Sequence, residues 1–199
     1  MAGEESSASV KVRGGEWPSH VVFSSDYVWN ACVRESDLFA KYKVTKRVRL
    51  RGACNKVRVT KIEEQTHPAC GQFGLCAAAK LTPGEHVIDY VGLVTLSGNE
   101  DKTSDYTVEF GELSELCVDS NRIGNEARFC NDFRNTGRKP NVEFRLYVDE
   151  AGDARLGIFV LGSLKKPLPK GTELLISYGK GYWTARLGSL DFVEKHPEH

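Results

Sequence analysis

From Val44 onward the chain never runs far without a breaker. Thr82-Pro83-Gly84, Ser97-Gly98-Asn99 and the spans 137–140, 149–153 and 167–171 interrupt it at short intervals. Between them lie short runs rich in β-branched, aliphatic and aromatic residues, at 57–62, 74–78, 86–95, 106–110, 116–119, 142–148 and 156–160. Runs this short cannot form a helix that buries a face, but they are the right length for strands. The chain is therefore expected to be mostly β and built from several small sheets. One helix candidate precedes them, at 26–43, where Val28, Cys32, Leu38 and Tyr42 fall at loose three-to-four spacing.

Charge and cysteine usage narrow the setting. The 199 residues hold 27 Lys+Arg and 27 Asp+Glu, so the basic excess typical of a nucleic-acid binder is missing. A local basic stretch occurs at 43–58, but the alternation of Arg47, Arg49 and Arg51 reads as the wet face of a strand. The small polar residues of 1–15 read as a disordered tail without an apolar signal core. No apolar run approaches a membrane span, which places the protein inside the cell. The six cysteines make no C-x-x-C pair, so neither a zinc site nor any other metal site is expected, and buried free thiols are.

Three stretches carry more detail than packing needs. Gly71-Gln72-Phe73-Gly74-Leu75 sets glycines ahead of a strand, either as a tight turn or where backbone must approach a ligand. Pro83-Gly84-Glu85 and Ile88-Asp89-Tyr90-Val91-Gly92 follow it. The second stretch, 124–132 (GNEARFCND), crowds asparagines, an arginine and an aspartate around an apolar pair, with Pro140-Asn141-Val142 after it. Polar groups so near a core need partners or a ligand. The third, 171–179 (GTELLISYG), is an apolar strand ending on a tyrosine, with Tyr182 and Trp183 behind it.

In this order the stretches resemble the SET domain of protein-lysine methyltransferases, from about residue 57 to residue 183. The family's G-x-G-L turn corresponds to Gln72-Phe73-Gly74-Leu75, and its G-E-x-I-x-x-Y-x-G strand to 84–92. Its tyrosine strand corresponds to Asp105-Tyr106, its G-N-x-A-R-F-x-N-H to 124–132, its P-N to Pro140-Asn141, and its closing G-x-E-L-x-x-x-Y-G to 171–179.

The resemblance implies a SET-domain fold: mostly β, several small sheets, a C-terminal pseudoknot and short helices. In that knot the segment after Asn131 and the strand ending at Tyr178 thread past each other. The implied division is a tail at 1–15, an N-terminal flanking segment at 16–56, a SET domain at 57–183 and a short C-terminal segment at 184–199. The implied activity is methyl transfer from S-adenosyl-L-methionine to a protein lysine, by default on the histone H3 tail or nucleosome. That points to the nucleus, with the cytoplasm as a second location, and to no membrane and no sequence-specific nucleic-acid partner.

The resemblance also assigns roles. Tyr178 matches the catalytic tyrosine and Tyr106 the tyrosine lining the lysine channel. Gln72, Phe73 and Gly74 would meet the cofactor through main-chain groups. Asn131 and Asp132 would lie at the cofactor, Asn131 at its amino-acid end, and Trp183 would stack on adenine or act as a hydrophobic lid. Arg128 and Glu126 read as loop support.

The chain departs from the family pattern in several places. Gln72 stands where the family has glycine, and Asp132 where it has histidine. Ile176 holds the position that tunes channel volume in relatives. The cysteine-rich zinc segment that follows many SET domains is absent, and a short helix at 183–187 would close the channel instead. The region from Tyr106 to Asn131 is short, so substrate recognition would draw on the N-terminal segment or on a second subunit of a homodimer. The look is that of small stand-alone fungal SET proteins. Two other readings stay open: a non-catalytic SET-fold binding module, and a methyltransferase for a non-histone protein.

Overall fold

The structure is a computed structural model that describes residues 11–12, 15–43, 53–179 and 182–183. Residues 1–10, Arg47, Arg49 and Arg51, and residues 184–199 with most of the expected closing helix lie outside the described residues. In chain order the elements are β1 (Lys11–Val12), β2 (Gly15–Glu16), β3 (Val22–Phe23), β4 (Val28–Trp29), α1 (Ala31–Arg34) and α2 (Asp37–Tyr42). Then come β5 (Val57–Lys61), β6 (Phe73–Ala77), β7 (His86–Asp89), β8 (Leu93–Leu96), β9 (Thr107–Phe110), β10 (Leu116–Asp119) and β11 (Ile123–Gly124). A 3-10 turn at Glu126–Phe129 leads to β12 (Asn131–Asp132), β13 (Val142–Val148), β14 (Ala154–Val160) and β15 (Leu175–Ile176).

Among the described residues these strands form six small sheets: β1-β2, β4-β8-β10-β9, β11-β3, β12-β15, β13-β14-β7 and β5-β6. This is the mostly β architecture the breakers predict. The central strand β14 is buried at every position, as a strand flanked by β13 and β7 must be. It nevertheless carries Arg155, which is 2% exposed. The guanidinium stacks 4.4 Å from the Tyr27 ring centroid and pairs with Asp26 and, at 3.1 Å, with Asp89. A buried cation persists only when its charge and donors are answered. Here half of the answer comes from the N-terminal segment. Tyr27 adds its hydroxyl oxygen, which accepts the Leu156 amide at 2.7 Å.

The N-terminal segment is thus woven into the core. β3 pairs with β11 and β4 with β8, both in parallel. That pairing explains why 26–43 is not one helix. Val28 and Trp29 are drawn into the sheet edge offered by β8, and Trp29 is buried. Asn30 then caps α1 by accepting the Cys32 amide at 3.2 Å, and a break at Glu35-Ser36 separates α1 from α2. The run expected at 86–95 also divides, into β7 and β8. Between them Gly92 lies against the Asp119 carbonyl, where a side chain would collide with backbone.

The C-terminal strand uses both of its edges. Toward β6, Leu174 donates to the Leu75 carbonyl at 2.7 Å, and Ala77 donates to Thr172 at 2.8 Å. On the other edge β12 runs parallel to β15, and Phe133 donates to the Ile176 carbonyl at 2.9 Å. The chain then loops out and returns at Asn141, whose amide donates to Leu175 at 2.9 Å. The Asn141 side chain accepts the Leu175 amide at 2.9 Å and donates to the Glu173 carbonyl at 2.8 Å. The loop from 131 to 141 therefore grips the 173–176 strand at both of its ends, which is the pseudoknot expected from the resemblance.

Candidate active site

Several segments far apart in sequence line one cavity of about 420 Å³. The turn after β7 supplies Tyr90, and β9 with its approach supplies Asp105, Tyr106, Thr107 and Glu109. Arg128 and Cys130 come from the 3-10 turn and its cap, Phe144 from β13, and Tyr178 and Tyr182 from the chain after β15.

Tyr178 is held from two sides. Its amide donates to Asp132 Oδ2 at 2.7 Å, and its hydroxyl donates to the Cys130 carbonyl at 2.9 Å. The Tyr182 ring packs edge-on, centroids 4.8 Å apart. Burial pushes the Tyr178 hydroxyl well above the ordinary phenol range, so it stays protonated. Tyr90 is likewise pushed up by burial, and its hydroxyl donates to the Tyr106 carbonyl at 2.7 Å. Neither phenol is a base near neutral pH; both are fixed donors. Burial also raises the Cys130 thiol, which donates to the Leu174 carbonyl at 3.3 Å and is no nucleophile.

The cavity is polarised. Asp105 and Glu109 at its mouth are exposed. Arg128 is 7% exposed, stacked 4.1 Å from the Tyr106 ring centroid, with its Nε donating to the Ser120 carbonyl at 3.0 Å. The expectation that Arg128 only supports a loop is incomplete, because its guanidinium also forms cavity wall. Glu126 behaves as expected: its carboxylate accepts the Cys54 amide at 2.9 Å.

A second locus lies at β6. The Asn131 side chain donates to the Phe73 carbonyl at 3.2 Å and reaches Glu173 Oε1 at 3.4 Å. Gly74 lies beneath them: a Cβ there would sit 2.8 Å from Glu173 Oε1 and 3.4 Å from Asn131 Nδ2. Glu173 is itself anchored by Arg138 at 2.7 Å, and His67 Nε2 lies 3.3 Å from its carboxylate. His67 Nδ1 accepts the Ala69 amide at 3.0 Å, which leaves the proton on the nitrogen facing Glu173.

The structure therefore gathers Tyr178 and Tyr106 at the cavity, and Phe73, Gly74 and Asn131 at the second locus. The two are joined by Cys130-Asn131, consecutive residues whose side chains serve different sites. Asp132 is buried between them, pairing with Arg134 at 2.9 Å. Gln72 is exposed at the turn. Gly71 takes the left-handed conformation there (φ 85°), so the position of the family glycine needs none in this chain. Trp183 is half-buried against Tyr182, ring centroids 5.3 Å apart. Ile176 is buried in β15 and forms none of the cavity wall. Tyr90 and Glu173 were missed as site residues although both lie within quoted motifs; nothing in the sequence marks His67.

A family model for the SET domain matches residues 72–179, and the chain belongs to that family. No curated protein matches it. Among solved structures it is similar to an active polycomb repressive complex 2 in the basal state, at 26% identity and a TM-score of 0.50, over 65% of this chain and 16% of that one. A humanized mutant of the Chaetomium thermophilum polycomb repressive complex 2, bound to the inhibitor GSK126, is 25% identical with a TM-score of 0.50, over 65% of this chain and 15% of that one. KRYPTONITE in complex with mCHH DNA, an H3(1–15) peptide and SAH is 22% identical with a TM-score of 0.46, over 66% and 24%. The chain thus spans 24% or less of the length of these structures.

Proposed function

We propose that the chain is a protein-lysine N-methyltransferase that uses S-adenosyl-L-methionine, with the histone H3 tail as its substrate and the nucleus as its working compartment. The observation that carries the reading is the double anchoring of Tyr178 across the knot, on the cavity that Tyr106 also lines. The protonated phenols of Tyr178 and Tyr90 and an aromatic lining suit a long aliphatic side chain with a polar tip.

The second locus fits the amino-acid end of the cofactor. The bare Gly74 backbone lets the Glu173 carboxylate and the Asn131 amide come close to it, where a Cβ would meet them at 2.8 and 3.4 Å. The Phe73 carbonyl and the Asn131 amide form a neutral donor–acceptor pair suited to a zwitterion. When bound, the group supplies an electrophilic methyl on a sulfonium; the chain supplies alignment and dryness. Phe73, Gly74 and Asn131 would hold it, and Trp183 would cover its adenine. The Tyr178 hydroxyl would orient the amine. Asp132 acts one step back, by fixing the backbone of Tyr178.

The test is transfer of label from S-adenosylmethionine to core histones, with mass spectrometry locating the lysine and counting methyls. Transfer that falls at least about a hundredfold in Tyr178→Phe, the scale of losing one positioned donor, supports the reading. Activity on lysate proteins with none on histones would move the substrate to a non-histone protein. No transfer to either, with no cofactor binding by calorimetry, would leave a SET-fold binding module.

A further inference from the structure

A lysine must lose its proton before its nitrogen can attack, yet the Tyr90 and Tyr178 phenols and the Cys130 thiol on the cavity are held protonated by burial. We propose that Arg128 is the positioning residue that solves this: a fixed cation in the cavity wall that makes the target lysine settle there as a free amine. The proposal rests on the methyltransferase reading above and assigns a residue which that reading leaves as scaffolding.

Arg128 is held rigidly in the wall. It is 7% exposed. Its Nε bonds the Ser120 carbonyl, and its guanidinium lies over the Tyr106 ring. Among the described residues no carboxylate pairs with it. The other large buried cation, Arg155, has two. A neutralised arginine in a wall would be electrostatically mute; this one is not. Burial pushes the Tyr90 hydroxyl up, and the strongest influence opposing that is the Arg128 charge, so its field is felt at another group lining the cavity.

The other titratable groups facing the cavity sort by depth. Tyr90, Cys130 and Tyr178 are held neutral by burial. The anions, Asp105 and Glu109, are exposed at the mouth, where water screens them. Asp119 does not line the cavity and accepts from Ser104 at 2.7 Å; its charge acts on the Tyr90 hydroxyl less strongly than that of Arg128 and in the opposite sense. A cationic lysine is thus drawn to the rim and disfavoured further in, where the dielectric is low and Arg128 is unscreened. Its proton leaves to solvent at the mouth. The neutral nitrogen then forms the C–N bond as the C–S bond breaks, sulfur keeping the electron pair, and the positive charge passes from sulfur to the methylated nitrogen.

The experiment is the pH dependence of kcat on core histones, which reports groups in the enzyme–substrate complex. Removing the cation should raise the lysine pKa, so the acid limb should move to higher pH. In Arg128→Gln, which keeps a donor for Ser120, the midpoint should rise by about one unit or more. That is a tenfold loss on the acid side that closes at high pH. Arg128→Lys should restore the wild-type midpoint. A purely structural role would lower kcat equally at every pH, and an unchanged midpoint in Arg128→Gln overturns the proposal. If that variant does not fold, Thr107→Asp adds an anion to the same wall and must also raise the midpoint; no shift there counts against it equally. Absence of transfer by the wild type would instead sink the methyltransferase reading.

Discussion

The Tyr178 amide donates to the Asp132 carboxylate at 2.7 Å, across 46 residues of sequence. Asp132 stands where the family has histidine, and its carboxylate also pairs with Arg134, whose side chain is 5% exposed. Asp132→Ala would leave that guanidinium buried without its carboxylate. We expect about 3 kcal/mol of destabilisation, the low end for breaking a buried pair, and loss of methyl transfer even where the variant is folded. Urea denaturation with a parallel transfer assay checks both. A loss under 1 kcal/mol would mean that Arg134 is held adequately by other groups.

Gly74 makes a separable prediction. A methyl there falls 2.8 Å from Glu173 Oε1 and must push apart the Glu173–Asn131 pair. Gly74→Ala should cost about 1–3 kcal/mol of stability and abolish calorimetric binding of S-adenosylmethionine. Unaltered binding would move the cofactor away from this turn.

Acid stability should depend on Asp89. Burial alone would raise its carboxyl, but the hydrogen bond from His86 and the Arg155 charge outweigh it and hold the group at about 2, against an ordinary 3.8. A depressed carboxylate stabilises the fold above its unfolded value, and the contribution is lost as pH falls from about 4 through 2. We expect Asp89→Asn to remove about 2 kcal/mol near neutral pH and to flatten the stability curve over that window. Denaturation midpoints from pH 7 to pH 2 test this; parallel curves for the two proteins would refute it.

The N-terminal segment is predicted to be indispensable, although the family match begins at residue 72. A chain starting at residue 57 lacks Asp26 beside Arg155, the Tyr27 oxygen on Leu156, β4 at the edge of β8, and β3 beside β11. It should be insoluble or unfolded by circular dichroism, whereas the full chain is folded. A cooperative melt from the short chain would show that these contacts are accessory.

What could be read from sequence divides along a physical line. β5, β10 and β13 were legible because alternation and nearby breakers are local signals. The two-residue strands β3, β4, β11 and β12 were not, because each exists only through a partner far along the chain. Arg155 looks like an error in an apolar run until Asp26 and Asp89 are placed beside it. At the candidate site, motif order singled out Tyr178, Tyr106 and Asn131, and the proposed function gives them their roles. The direction of the Arg128 guanidinium was not legible: a short 3-10 turn sets it, and no pattern in the sequence encodes which way that turn faces.

The grip of the 131–141 loop on the last strand has a kinetic consequence. The Tyr178 hydroxyl and the Cys130 carbonyl are 48 residues apart, and the pairing between them is parallel. Contacts of that span are slow to close. Both walls of the cavity depend on them, so a molecule that has recovered most of its strands still lacks a working centre. After dilution from urea, enzymatic competence should trail the far-ultraviolet signal, making turnover a stricter gauge of complete assembly than any spectroscopic measure of sheet content.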